Sequence, residues 1–318
     1  MSRTRDIIQE IADIRHRRQF GSAMVELPQR LFALEEAFKV HDKSQSELTR
    51  YFPVALIACV EGYFRMAIKD LIDAGDPFLT NAEKPASSLR LDFSVLRAVH
   101  GKTITVGELV AHGVALSRLE HIESALTSLL GCGFLQSLRI TTDRWAREVR
   151  GEPPEPILSN PDEVFAGVAR TFELRHIICH EIASAYEIEA DEVARCLESC
   201  VAFLRAADEL ISETLHPGAP LTQTDMNIAA GKSLSEKRKD LTEAVTTIRK
   251  RLDPVELIAF DESQAKWEAY CEAWVSFVAG EQANSGSMWP MIYAGEAEAV
   301  VMRRLNEVRS WRRLGDGA

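Results

Sequence analysis

The sequence predicts an all-α protein in two parts: a larger helical bundle over residues 1–216 and a smaller helical domain over 217–318. Three observations carry that reading. Apolar residues recur at helical spacing along most of the chain. Strand-like alternation with hairpin turns is nearly absent. A Pro/Gly-rich breaker, HPGAP at residues 216–220, separates two long helical stretches. A chain of 318 residues is long enough for two domains, each with its own core.

The elements follow in order. TRDIIQEIADIRHRR sets Ile7, Ile8, Ile11 and Ile14 on one stripe, the pattern of an amphipathic helix. AMVELPQRLFALEEAFKV reads as a second helix that Pro28 is expected to kink or break. The strongest long helix of the first half is SQSELTRYFPVALIACVEGYFRMAIKDLIDAG. Ser44 or Ser46 is expected to cap its start, Gly75 to end it, and Pro53 to bend it or begin its main part. Residues 81–91 read as a loop, and shorter helices fit VGELVAHGVALS and RLEHIESALTSLLG. GEPPEPILSNP is non-helical. Asn160 then supplies a capping side chain, and Pro161 stands where its missing N–H costs little, so a helix is expected through DEVFAGVARTFELRHIICHEIAS. EADEVARCLESCVAFLRAADELISETL forms the next. Past the breaker come TQTDMNIAAGKSLSEKRKDLTEAVTTIRKRL and PVELIAFDESQAKWEAYCEAWVSFVAG, a turn at NSGS, and a last helix near residues 294–313.

Composition narrows the function classes. A net charge of −11 is unfavourable for coating RNA or DNA non-specifically, though it leaves room for a local basic cleft. The longest uninterrupted apolar runs, such as PVALIACV, fall far short of the roughly 20 residues a bilayer needs, so no membrane partner is expected. The opening stretch is charged throughout, without an apolar signal core, and a cytoplasmic location is expected. The six cysteines, at 59, 132, 179, 196, 200 and 271, form no CxxC pair. They are expected as free, mostly buried thiols, with Cys196 and Cys200 on a buried helix face.

The stretch ELRHIICHE, residues 173–181, gathers an arginine, two histidines, a cysteine and two glutamates around two isoleucines. Three readings compete. His176 and His180 are one helical turn apart and point the same way, so they are able to share a metal. A third ligand must then come from elsewhere, and the His-Glu-x-x-His pattern of zinc peptidases is missing. In the plainer reading Phe172, Ile178, Ile182 and Cys179 form a core stripe, and the histidines are hydrogen-bonded packing beside it.

The third reading is a resemblance. RHIICH, with Arg175, His176 and His180, resembles the signature of HEPN domains: an arginine, a polar residue, three variable residues and a histidine. It lies on a late helix of an all-α unit, after an earlier helix, CVEGYFRMAIKDLI, that resembles the one opening the core bundle in HEPN subgroups of RNA processing and defence. The resemblance covers residues 44–215. It implies a metal-independent endoribonuclease that needs no cofactor, works on RNA as a homodimer with a composite site, and serves in a stress, toxin or phage-defence setting.

The chemistry suits that role. RNA carries its own nucleophile, the 2′-OH. Its cleavage needs a base, an acid for the leaving oxygen, and a positive group for the charge on phosphate. Imidazole titrates in the useful range, and guanidinium offers planar donors matched to phosphate. Within the resemblance His180 is the base or acid, Arg175 the phosphate clamp and His176 a helper, with Glu173 placed to tune the pair and Glu181 either doing so or standing as a solvated charge. Residues five apart project about 140° from each other on a helix, so a shared cleft between two copies suits them better than one helix alone. Arg144, Arg147, Arg150 and Arg170 are candidates for a local basic patch; the alternative is an ordinary solvated face. A different class stays open: a HEPN-fold module that only dimerises or docks. The enzyme requires Arg175 and His180 to reach solvent, whereas the module does not.

The last hundred residues resemble the LprI-type lysozyme-inhibitor family over residues 221–313. The matching elements are TQTDMN at 222–227, a lysine-rich helix, SQAKWEAYCEAW with Gln264 and Trp267, GSM at 286–288, and RRLNEVR at 303–309. Members of that family are typically exported and stapled by cysteines. Here only Cys271 is present, and Ala229 and Ala230 stand where a cysteine is expected after MN. The resemblance therefore implies a helical hairpin fold and a binding role, for an antitoxin or sensor partner, rather than lysozyme inhibition. Trp267, Tyr270, Trp274, Trp289 and Tyr293 are core candidates, and any exposed subset would make good anchors.

Overall fold

The structure, a computed structural model, describes residues 7–17, 23–87, 89, 92–181, 185–281, 284 and 286–311, with backbone alone for 23–26. Among the described residues there is no strand; an isolated antiparallel bridge joins Thr142 and Pro156. The chain divides into two compact units, Met1–Pro217 and Gly218–Ala318.

The first unit is built on α3 (Ser46–Asp73), which packs against α2 (Ala23–Val40), α6 (Val106–Gly113), α9 (Pro161–His180) and α10 (Ala190–Leu215). Such a central helix must be apolar on most sides. Leu56, Ile57, Val60, Phe64, Ile68, Leu71 and Ile72 are all 2% exposed or less. α3 is also long and apolar enough, by length and composition, to cross a membrane. Run lengths missed this because Glu61, Arg65 and Lys69 interrupt them. In the structure 61% of that window is buried within the protein, and the helix acts as the core of the bundle. Phe64, Phe134 and Phe203 meet at ring separations of 5.6–6.2 Å, and Phe165 joins Phe203 at 6.2 Å. This aromatic knot ties α3, α8 (Phe134–Leu138), α9 and α10 together.

The smaller helices complete the unit. α1 (Ile7–His16) lays Ile7, Ile8 and Ile11 on a satellite core with Val95, Ala98, Ile104 and Leu109, from α5 (Phe93–His100), α6 and the turn between them. The patterning did not signal α5. Asp92 caps it, accepting from Val95 N at 2.9 Å. α6 starts with a reciprocal capping box between Thr105 and Glu108. Its first turn is seated on α3 so closely that a Cβ on Gly107 would come within 2.4 Å of the Lys69 carbonyl oxygen. α4 (Phe78–Asn81) and α7 (Leu119–Leu130) close the bundle, and residues 82–87 are turns.

Several local expectations are corrected. Pro28 does not break α2 and Pro53 does not begin α3, since both lie inside continuous helices. Neither Ser44 nor Ser46 caps α3: Ser44 donates from N and Oγ to Asp42 at 2.9 and 2.7 Å, and Gln45 occupies the cap position without a side-chain bond. Asn160 holds the cap position of α9, but its amide turns to Glu163, 2.8 Å away, instead of capping the backbone. α9 ends at His180; residues 182–184, Ile182 included, lie outside the described residues.

The second unit comprises α11 (Gln223–Arg249), α12 (Pro254–Ala279) and α13 (Trp289–Ser310). α13 packs along α11 and also against α12. Leu241 and Ile248 meet Val301, Leu305 and Val308, while Cys271 and Val275 meet Ala297 and Val300. Thr222 caps α11, and a capping box between Asp253 and Glu256 starts α12. α13 begins at Trp289, one turn earlier than its periodicity suggested, because Pro290 sits in its first turn, where proline is tolerated. Arg313 lies outside the described residues.

Candidate functional site

α9 presents one face to the core and another to solvent. Phe165, Val168, Phe172, Thr171 and Leu174 are buried, at spacings that follow one side of the helix. Gly167 lets α10 approach closely: a Cβ there would lie 2.1 Å from the Ser199 hydroxyl and 2.6 Å from its Cβ. Past the packed stretch, the last turns emerge from the bundle. Arg175 is half-buried, and His176, Cys179, His180 and Glu181 are exposed. Cys179 therefore does not belong to the core stripe proposed for it, while Phe172 is buried and Ile178 packs against the core as expected.

The three predicted site residues thus share one end of one helix. The rings of His176 and His180 stand 5.1 Å apart, tilted by 47°. Glu181 approaches His176 at 3.9 Å, too far for a hydrogen bond. Among the described residues Arg175 has no hydrogen-bond or ion-pair partner. Glu173 does not turn to the histidines; it binds Arg170 at 2.6 Å.

A clamp that sequence reasoning missed secures Tyr186. Arg170 binds Glu192 at 2.7 Å as well as Glu173, and donates to the Tyr186 hydroxyl. Arg50, from the first turns of α3, donates to the Tyr186 carbonyl and binds Glu47 at 3.2 Å. Glu173 chiefly, then Glu192 and Tyr186, hold the Arg170 guanidinium above its ordinary range against the opposing effect of burial. No local pattern signals Tyr186 or Arg50, because their meeting joins residues 136 positions apart.

The expected basic patch is neutralised. Arg144 grips Glu148 through two bonds at 3.0 and 3.1 Å, Arg147 binds Glu148 at 2.8 Å, and Arg150 pairs with Glu152 at 3.0 Å. The hydrogen bonds from Arg144 and Arg147 pull the Glu148 carboxyl down to about 2. Arg170 is spent on its clamp. All four arginines face carboxylates first, as a strongly acidic chain dictates.

All six cysteines are free thiols; Cys132 and Cys179 are exposed and the other four are buried. Burial pushes the Cys200 thiol up to about 12, which leaves it an inert packing group.

In the second unit the motif residues meet one another. The Asn227 amide donates to the Ser287 carbonyl at 3.0 Å, joining the TQTDMN turn to the GSM turn. Trp289 donates to the Gly280 carbonyl at 3.0 Å. Buried Gln264 accepts from Arg304 at 3.4 Å, and Arg304 also reaches Ser263 and Glu307. Trp267 and Tyr293 pack against the core. Tyr270 and Trp274 do not: they are exposed and stacked at 6.3 Å, with exposed Phe277 continuing the row at 6.0 Å.

Residues 217–308 match the family model of the lysozyme inhibitor LprI. No curated protein and no solved structure matches the chain. The matched segment contains every motif residue just described for the second unit.

Proposed function

We propose that the first unit is a metal-independent endoribonuclease of the HEPN type, acting as a homodimer in a toxin or phage-defence role. The second unit binds a protein partner, an antitoxin or a sensor. The HEPN part rests on the resemblance of residues rather than on a family match. The observation that carries it is the emergence of Arg175, His176 and His180 at one solvent-facing helix end, with the Arg175 guanidinium unpaired among the described residues. His180 removes the 2′-OH proton or protonates the leaving oxygen. Arg175 meets the charge that grows on phosphate, and His176 supplies the second imidazole. A second copy brings the same set to the opposite wall of the cleft. For the second unit, the exposed row of Tyr270, Trp274 and Phe277 supports the binding role, since aromatic side chains make strong interface anchors.

A second reading has its own support. Arg144, Arg147, Arg150 and Arg170 are held by carboxylates, so the expected basic patch offers an incoming phosphate little free positive charge. A HEPN-fold module that dimerises or docks without cutting needs no such charge. Cleavage of end-labelled RNA in the presence of EDTA separates the two. The enzyme predicts cleavage by the wild type and a loss of at least about 100-fold in His180→Ala, the scale of general acid–base catalysis. Equal cleavage by both proteins, or none by either, favours the module.

A further inference from the structure

His176 and His180 have no third protein ligand among the described residues with which to hold a resident metal. Their geometry carries a different conclusion. A zinc-type ion sits about 2.1 Å from each ligating nitrogen, hence about 3.2 Å from each ring centre. Two imidazoles bound at a tetrahedral angle then have ring centres about 5.2 Å apart, and at a right angle about 4.5 Å. The observed separation is 5.1 Å. Both rings are exposed, so each swings about its own side-chain bonds without disturbing the core. They also stand on the last turn of α9, whose negative dipole end favours a cation. The Glu181 carboxylate, 3.9 Å from His176, adds negative charge beside them.

We propose that His176 and His180 form a two-imidazole site for a borderline divalent cation: zinc, nickel or copper. The site goes beyond the nuclease reading and does not depend on it. Among the described residues no group of three or more His, Cys, Asp or Glu side chains is arranged to hold a metal. Water therefore fills the remaining positions, and the affinity is micromolar rather than that of a structural zinc. Hard cations such as magnesium, which prefer oxygen, are refused. Of the eight histidines, no other two stand within four positions of each other, so the pair is distinctive in the sequence.

The test uses the untagged full chain on nickel-charged iminodiacetate resin at neutral pH, with zinc chloride titrated into the protein by calorimetry. The wild type is expected to be retained until imidazole is added, and to bind one zinc per chain. His176→Ala and His180→Ala should each weaken zinc binding at least tenfold and flow through the resin, with unchanged circular dichroism. His121→Ala, which removes an exposed histidine elsewhere, should behave as wild type. Absence of binding by the wild type overturns the proposal. So does binding that survives either single substitution at the pair, or that His121→Ala weakens equally.

Discussion

Two side chains show how burial and exposure assign roles residue by residue. His180 lies on the outer face of α9, where its ring is open to substrate and to metal alike. An ion held by that ring takes the lone pair that a base needs. Micromolar zinc should therefore suppress RNA cleavage by the wild type, and EDTA should restore it, in the same end-labelled assay. Asp208 stands in the opposite situation. Burial pushes its carboxyl up to about 6, with the Tyr63 hydroxyl beside it pulling weakly the other way and Glu209 adding to the rise. The Tyr63 hydroxyl and Asp208 Oδ1 are both buried, and neither has a hydrogen-bond partner among the described residues. The folded value lies above the unfolded one, so the native state holds the extra proton between about pH 4 and pH 6. Stability from this group is present below that window and is lost as pH rises through it. Asp208→Asn should raise stability at pH 7.5 by about 1–3 kcal/mol and flatten the profile between pH 4 and 6, read by urea denaturation. Glu209, also pushed up by burial, should leave some slope behind.

At the scale of elements, α9 is a positioning device with a packed half and a free half. Its packed half depends on Gly167, over which α10 passes with the Ser199 side chain in the space a methyl group would need. Gly167→Ala should cost about 1–3 kcal/mol through overpacking, despite the better helix propensity of alanine. Chemical denaturation of the full chain measures this. Helical periodicity made α9 legible, as it did α2, α3, α10, α11 and α12, because each is long enough for apolar residues to recur at helical spacing. α5 and α8 were not legible. They are short, with 8 and 5 residues, and neither stands in a longer apolar-periodic stretch such as the one that marked α6. The extent of α9 past His180 was overestimated for a related reason: helix-forming residues continue beyond it, while the chain itself leaves the helix at Glu181.

At the scale of the whole molecule, the nuclease reading is a statement about two chains. Arg175→Ala and His180→Ala, each inactive alone, should recover part of the activity when mixed and allowed to exchange subunits, because a mixed dimer keeps one guanidinium and one imidazole in its cleft. No recovery, with exchange demonstrated, would confine the site to one chain. The all-α class, the identities of Arg175, His176 and His180, and the LprI motifs between residues 222 and 309 could all be read from residues in a row. Local chemistry suffices for these: helical spacing, an i to i+4 pair and short turns are properties of neighbours along the chain. Other features needed the folded coordinates. These are the exposure of the His176–His180 end, the clamp of Arg50 and Arg170 on Tyr186, the pairing of every arginine expected to form a basic patch, and the emergence of Tyr270, Trp274 and Phe277 on the surface. Each depends on which helix covers which face and which carboxylate arrives from far along the chain, and burial and long-range ion pairing are set by packing between elements.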